Sequence, residues 1–188
     1  MADRQNELIN CVSFNARSIS RKVLDVYFEV LLQLNFPDVI CISETWLRDD
    51  IPDSIFSVCK GYSVFRCDRQ SGKRGGGVAI LTKPGLFCQR VNVVTNDCLE
   101  VICILLKGTR RSVIICCVYR PPGNDGNCVA SLSNLLCSLQ SFEIPIIIVG
   151  DLNLPNVSWP SMTASDSFSL DLVRLFISFG FQQFVVEA

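Results

Sequence analysis

An α/β fold with largely buried strands is what this sequence predicts, and three observations carry it. Short apolar runs recur along the chain, each closed by a glycine or a polar residue. Stretches with apolar residues at helical spacing alternate with those runs. Several of the runs end on an amide, a carboxylate or a phenol. With 188 residues, 49% of them hydrophobic, and a mean hydropathy of +0.35, the chain holds enough apolar material for one domain with a core and is too apolar for disorder.

Taken in order, Leu8 to Phe14 reads as a strand, and Asn15-Ala16-Arg17-Ser18 follows at its end. Between Arg21 and Leu34, apolar residues at Val23, Tyr27, Val30, Leu31 and Leu34 mark one face of a helix. Ser18 or Ser20 serves as its cap and Asn35-Phe36-Pro37 as its stop. Val39 to Ser43 is a second buried strand that delivers Glu44-Thr45-Trp46, and a strand, helix and strand this short form a crossover between parallel strands. Tyr62 to Arg69 and Val78 to Thr82 follow as strands around Ser71-Gly72-Lys73-Arg74-Gly75-Gly76-Gly77. That loop lacks the Gly-Lys-Ser/Thr of a phosphate cradle and leads into a strand rather than a helix, so it reads as a hairpin loop with two cations at its tip.

Leu99 to Lys107 and Ser112 to Tyr119 form another hairpin, turning at Gly108 to Arg111, and Arg120-Pro121-Pro122-Gly123 ends its second strand. A helix follows from the spacing of Val129, Leu132, Leu135, Leu136 and Leu139. The run Ile146-Ile147-Ile148-Val149 is β-branched throughout, which is how a strand buried on both faces reads; it stops at Gly150, with Asp151 and Asn153 on one side of the emerging backbone. Gly-Asp and Asn-x-Pro are also ordinary turn formers. A last helix runs from about Ser167 to Phe179, burying Phe168, Leu172, Leu175, Phe176 and Phe179, with Gly180 at its C′ position; Phe181 to Val186 begins something strand-like.

Composition excludes several classes of function. The N-terminus is polar and of mixed charge, unlike a signal peptide, and no apolar run approaches the roughly 20 residues of a membrane span, so a cytosolic or nuclear protein is expected, with no membrane partner. The net charge of −1 gives no global basic field. Eleven cysteines lie largely within strand-like runs (Cys11, Cys41, Cys103, Cys116, Cys117) without a Cys-x-x-Cys pair, so reduced core thiols are expected rather than a zinc site. Histidine is absent altogether, which removes Ser-His-Asp and Cys-His catalysis, His-ligated zinc and any imidazole base. Hard oxygen donors remain, and these suit Mg²⁺ or Mn²⁺. Asn15, Glu44, Tyr119 and the pair Asp151/Asn153 all fall at strand ends, where open α/β sheets bind ligands, and together they look like a metal-and-phosphate site.

Five stretches, Asn15-Ala16-Arg17-Ser18, Ser43-Glu44-Thr45-Trp46-Leu47, Gly75-Gly76-Gly77-Val78-Ala79-Ile80, Val118-Tyr119-Arg120-Pro121-Pro122 and Gly150-Asp151-Leu152-Asn153-Leu154-Pro155, resemble in this order the endonuclease/exonuclease/phosphatase superfamily. More narrowly, they are similar to the endonuclease domain of non-LTR retrotransposon polyproteins. The resemblance implies a four-layered α/β/β/α sandwich that hydrolyses phosphodiester bonds with Mg²⁺ or Mn²⁺. It implies Glu44 as principal metal ligand with Asn15 beside it, and Asp151 orienting or activating water. It further implies Asn153 holding the scissile phosphate and Tyr119 donating a hydrogen bond to it. Arg17, Arg66, Arg69, Lys73, Arg74 and Arg120 are candidates for a cationic rim on DNA phosphates, each also readable as solvated surface charge.

The family's later motif, a Ser-Asp-His at the end of the last strand, has no counterpart in a chain without histidine. Residues 1–188 are therefore expected to be one such domain lacking its C-terminal part, with its second sheet incomplete. Little or no nuclease activity is expected of the chain alone, together with dependence on a partner such as a downstream reverse transcriptase region. The alternative is a non-enzymatic remnant that keeps the fold as a binding module. A third reading keeps the superfamily but takes a phosphoinositide or an RNA tail as substrate.

Overall fold

The computed structural model describes residues 8–184 apart from 97, 124 and 125. Its first unit is β1 (Cys11–Asn15), a helix and β2 (Val39–Ser43), with β1 and β2 parallel from Cys11↔Val39 to Asn15↔Ser43, as the crossover reading requires. That helix, α1, is α-helical over Val23–Asp25 and π-helical over Val26–Leu32. β3 (Ser63–Cys67) and β4 (Val78–Thr82) form the expected hairpin around the glycine-rich loop and complete a sheet of order β1-β2-β4-β3.

The second sheet has the order β5-β6-β7-β8. β6 (Glu100–Lys107) and β7 (Ser112–Tyr119) are its central hairpin, and β8 (Ile146–Asp151) lies parallel to β7. β5 (Phe87–Val91), which the sequence reading passed over, is an edge strand whose Gln89 and Arg90 interrupt the apolar run. A two-residue pair, β9 (Val157–Ser158) and β10 (Thr163–Ala164), follows β8.

Three apolar clusters divide the molecule into four layers. Val26 and Leu31 of α1 pack on Ile40, Ile42, Ala79 and Leu81, the outer face of the first sheet. Val39, Cys41, Val78 and Ile80 meet Ile102, Ile104, Ile115 and Cys117 between the two sheets. Leu132, Leu135, Leu136 and Leu139 of α2 (Cys128–Gln140), with Leu172 and Phe176 of α3 (Ser167–Ser178), cover the outer face of the second. Both sheets are open. The α/β/β/α sandwich is thus present, and the central strands β2, β4, β6 and β7 are apolar along their length because layers cover both of their faces.

Three expectations are corrected. β8 is an edge strand rather than one buried on both faces, and Ile147 is 44% exposed. Cys11 is exposed on the edge strand β1 although Cys41, Cys103, Cys116 and Cys117 are buried free thiols. Phe181 to Phe184 has no regular structure, and the rest of that strand-like stretch lies outside the described residues. Among the described residues, no helix is long and apolar enough to cross a membrane.

Tyr62 ties the turn after α1 to β3, its phenol donating to the Pro37 carbonyl at 2.7 Å. Burial, reinforced by Cys59 and Asp38, pushes its ionisation from 10.0 up to about 12. The folded state thus favours the protonated phenol, a preference present below pH 10 and lost on passing 12. Urea titrations across that interval are expected to show stability falling as pH rises, and Tyr62→Phe is expected to flatten this fall.

Candidate active site

The ends of β1, β2, β7 and β8 come together at one end of the sandwich. Backbone pairing continues past the strands: Ala16 N donates to Ser43 O, Ser18 N to Glu44 O and Ile19 N to Thr45 O, each at 2.9 Å. On the other side Thr45 N reaches Gly77 O at 3.1 Å and Trp46 N reaches Gly76 O at 2.8 Å. Three loops are laced together in this way, and the lacing holds Glu44 and Trp46 at φ of 53° and 56°, in the left-handed region that L-residues avoid. Asn153 on the facing loop has φ of 50°.

Asn15 is the meeting point. Its Nδ2 donates to Glu44 Oε1 at 2.8 Å and to Asp151 Oδ2 at 2.9 Å, the latter across 136 residues of chain. Glu44 Oε2 accepts from Trp46 Nε1 at 3.1 Å, and Asp151 Oδ1 accepts from Asn153 N at 2.8 Å. Tyr119 closes β7 beside Asp151 in register and is buried. Burial first, then the charge of Glu44, pushes its phenol above the ordinary range, against a downward pull from Arg69 and Asn153; it stays protonated and can donate.

The arrangement fits a divalent cation of the Mg²⁺ kind. Two carboxylates reach one amide nitrogen, all donors are hard oxygens, and Mg²⁺ is held by one or two carboxylates plus water and phosphate rather than a protein cage. Among the described residues, no group of three or more His, Cys, Asp or Glu side chains is placed to hold a metal ion.

The six cations do not form one rim. Arg66 is turned into the fold, paired with Asp68 and with Asp53 at 2.9 Å, its side chain 12% exposed. Arg120 is buried, its Nε donating to Leu152 O at 2.6 Å and a terminal nitrogen to Asn153 O at 2.5 Å, so it clamps the backbone that carries Asp151 and Asn153. Arg69 pairs through Nε with Glu100 Oε1 at 2.5 Å and lies 5.8 Å from the Tyr119 ring centre. Arg74 sits over the Trp46 ring at 4.8 Å, and Arg17, Lys73 and Arg74 are exposed.

Sequence reading missed Glu100, whose second oxygen accepts from Gly77 N. It therefore anchors both the glycine loop and Arg69. The signal was present in the hairpin: pairing Lys107 with Ser112 places Glu100 opposite Tyr119.

A family model described as the Endonuclease/Exonuclease/phosphatase family matches residues 12–184. The chain belongs to this family. Among solved structures, the endonuclease domain of TRAS1, a telomere-specific non-LTR retrotransposon, is similar with a TM-score of 0.66 at 12% identity, over 92% of this chain and 72% of that one. The 3′ phosphatase NExo from Neisseria, bound to product DNA hairpin, gives 0.63 at 17% identity over 92% and 71%. The human Nocturnin catalytic domain with bound sulfate anion gives 0.56 at 17% identity over 76% of this chain and 62% of that one. At such identities the likeness is one of fold, and this chain spans less than two thirds of the Nocturnin domain. No curated protein sequence matches it. Within the endonuclease/exonuclease/phosphatase family, the fold is what this chain shares with these structures.

Proposed function

We propose that this chain is a Mg²⁺- or Mn²⁺-dependent phosphodiester hydrolase domain of the DNA-nicking, retrotransposon type. The observation that supports it most is the convergence of Glu44 and Asp151 on Asn15. The likeness to TRAS1 and to a DNA-bound 3′ phosphatase favours DNA as the substrate. Glu44 and Asn15 would hold the cation, which when bound polarises phosphoryl oxygens and makes water more acidic.

Asp151, fixed by Asn15 and by the Asn153 backbone, orients the attacking water and accepts its proton. Asn153 and Tyr119 donate hydrogen bonds to the phosphate as charge develops, and the laced loops keep these groups in place before substrate arrives. With no histidine to complete such a set, turnover by this chain alone is slow or absent, because groups acting as a unit lose orders of magnitude when one is removed. A histidine-bearing segment, such as one preceding a reverse transcriptase region, would complete it.

Supercoiled-plasmid nicking with Mg²⁺ tests the proposal, using this chain and a form extended by a family Ser-Asp-His strand. The extended form is expected to nick, and Glu44→Gln or Asp151→Asn to cut that rate by about 10³-fold or more. Nicking that survives both substitutions overturns the proposal. The missing histidine also favours a second reading, a non-enzymatic binding module. DNA binding without nicking by either form supports that one.

A further inference from the structure

A cleft of about 580 Å³ extends from Asp151 and Asn153, which line one end of it, and the proposed hydrolysis leaves the rest of it without a role. That volume lies within the roughly 300–1,000 Å³ of small-molecule pockets. The turn after β7 walls one side with Arg120 and Gly123. Asn156, Trp159 and Asp166, from the segment between β8 and α3, line much of the rest together with Phe168 of α3. Trp159 and Phe168 are half-buried against the outer core of the second sheet, so their rings are held in place from behind.

Away from Asp151 and Asn153, the charges in the cleft are wrong for a phosphate. Asp166 caps α3, accepting from Ser169 N at 2.8 Å, and this bond holds its carboxyl below the usual range, hence ionised. Arg120, the only cation among the lining residues, is bound to backbone carbonyls and lies over the Phe168 ring at 5.0 Å. What the cleft offers is aromatic surface, an amide and an acceptor carboxylate. Those are the groups that hold a nucleobase, by stacking and by hydrogen bonds to its edge.

We propose that this cleft receives one unstacked base of the DNA strand, a base adjacent to the phosphate at Asp151 and Asn153, stacked against Trp159. The assignment rests on the reading of that site as a phosphodiester site. Exocyclic amino groups of cytosine, adenine or guanine suit Asp166, and thymine suits it less.

The test uses the full chain and equilibrium binding of a deoxyoligonucleotide in which a single abasic step is walked along the strand. For the unmodified protein, one position is expected to weaken binding about tenfold, the scale of one aromatic–base stack. Trp159→Leu, which keeps apolar bulk, is expected to weaken binding to the intact strand by a similar factor and to abolish the position dependence. Quenching of 2-aminopurine at that same position, lost in Trp159→Leu, is the second expected result. A protein whose binding is the same for every abasic position, or whose Trp159→Leu form keeps the position dependence, overturns the assignment. Binding is read without Mg²⁺, so a protein that discriminates the base while neither it nor its Ser-Asp-His-extended form nicks refutes the hydrolase reading and leaves the cleft standing.

Discussion

Gly150→Ala is expected to cost about 3 kcal/mol or more of folding stability and to abolish nicking by the Ser-Asp-His-extended form. Gly150 has φ of 128°, where an L-residue is strained, and a Cβ built on it would fall within the van der Waals shell of the Val118 carbonyl oxygen. That oxygen belongs to β7, the strand with which β8 must stay in register for Tyr119 and Asp151 to stand side by side. Overpacking costs about 1–3 kcal/mol and occasionally more, and a strained backbone position adds about 1–3 kcal/mol. Backbone against backbone cannot be relieved by turning a side chain, so β8 must shift. Chemical denaturation gives the stability loss directly, and wild-type stability in the variant would refute the account.

Glu100→Ala is expected to lose about 3–5 kcal/mol, the usual result of removing one partner of a buried ion pair. The pair is 9% and 13% exposed at Glu100 and Arg69, and the same carboxylate also takes the Gly77 N–H. Removing it leaves Arg69 Nε and the Gly77 N–H without an acceptor, while the guanidinium keeps the Arg74 carbonyl at 3.3 Å. One Arg69 terminal nitrogen is already buried without a hydrogen-bond partner, so the site has no slack with which to absorb the change. The double variant Arg69→Met/Glu100→Leu removes both charges and is expected to recover much of the stability, since apolar replacement of a whole pair is often neutral. In the Ser-Asp-His-extended form it should not recover nicking, because the loop of Gly76 and Gly77 loses its anchor and with it the support for Thr45 and Trp46. A double variant as unstable as Glu100→Ala alone would show that the charge pair is not the origin of the loss.

Most of the fold was legible because strand and helix periods are local. The apolar faces of α2 and α3 and the two hairpins follow from residue spacing alone. What spacing cannot carry is the identity of a strand's neighbour. Ile146 to Val149 has the composition of a central strand, yet β8 stands at a sheet edge, because β-branched residues favour extended backbone whatever lies beyond them. The opposite error hid β5, whose Gln89 and Arg90 face water on an edge.

At the site, the strand-end positions of Asn15, Glu44, Tyr119 and Asp151 were readable. Partnership was not, since Arg66 and Arg120 look like free cations until acids and carbonyls distant in sequence surround them. The glycine loop read as a cation-bearing tip, and Lys73 and Arg74 are exposed on it; the packing of Gly75, Gly76 and Gly77 against Trp46, Glu100 and Thr45 was not readable.

Five non-glycine residues with left-handed φ, Arg17, Ser18, Glu44, Trp46 and Asn153, cluster on the three loops that build the site. Each carries roughly 1–2 kcal/mol that glycine would not. A library selected for heat tolerance alone should therefore enrich glycine at these places, and the hardiest survivors should be the most inert. Screening for thermal resistance and for DNA turnover would pull this protein in opposite directions at the same codons.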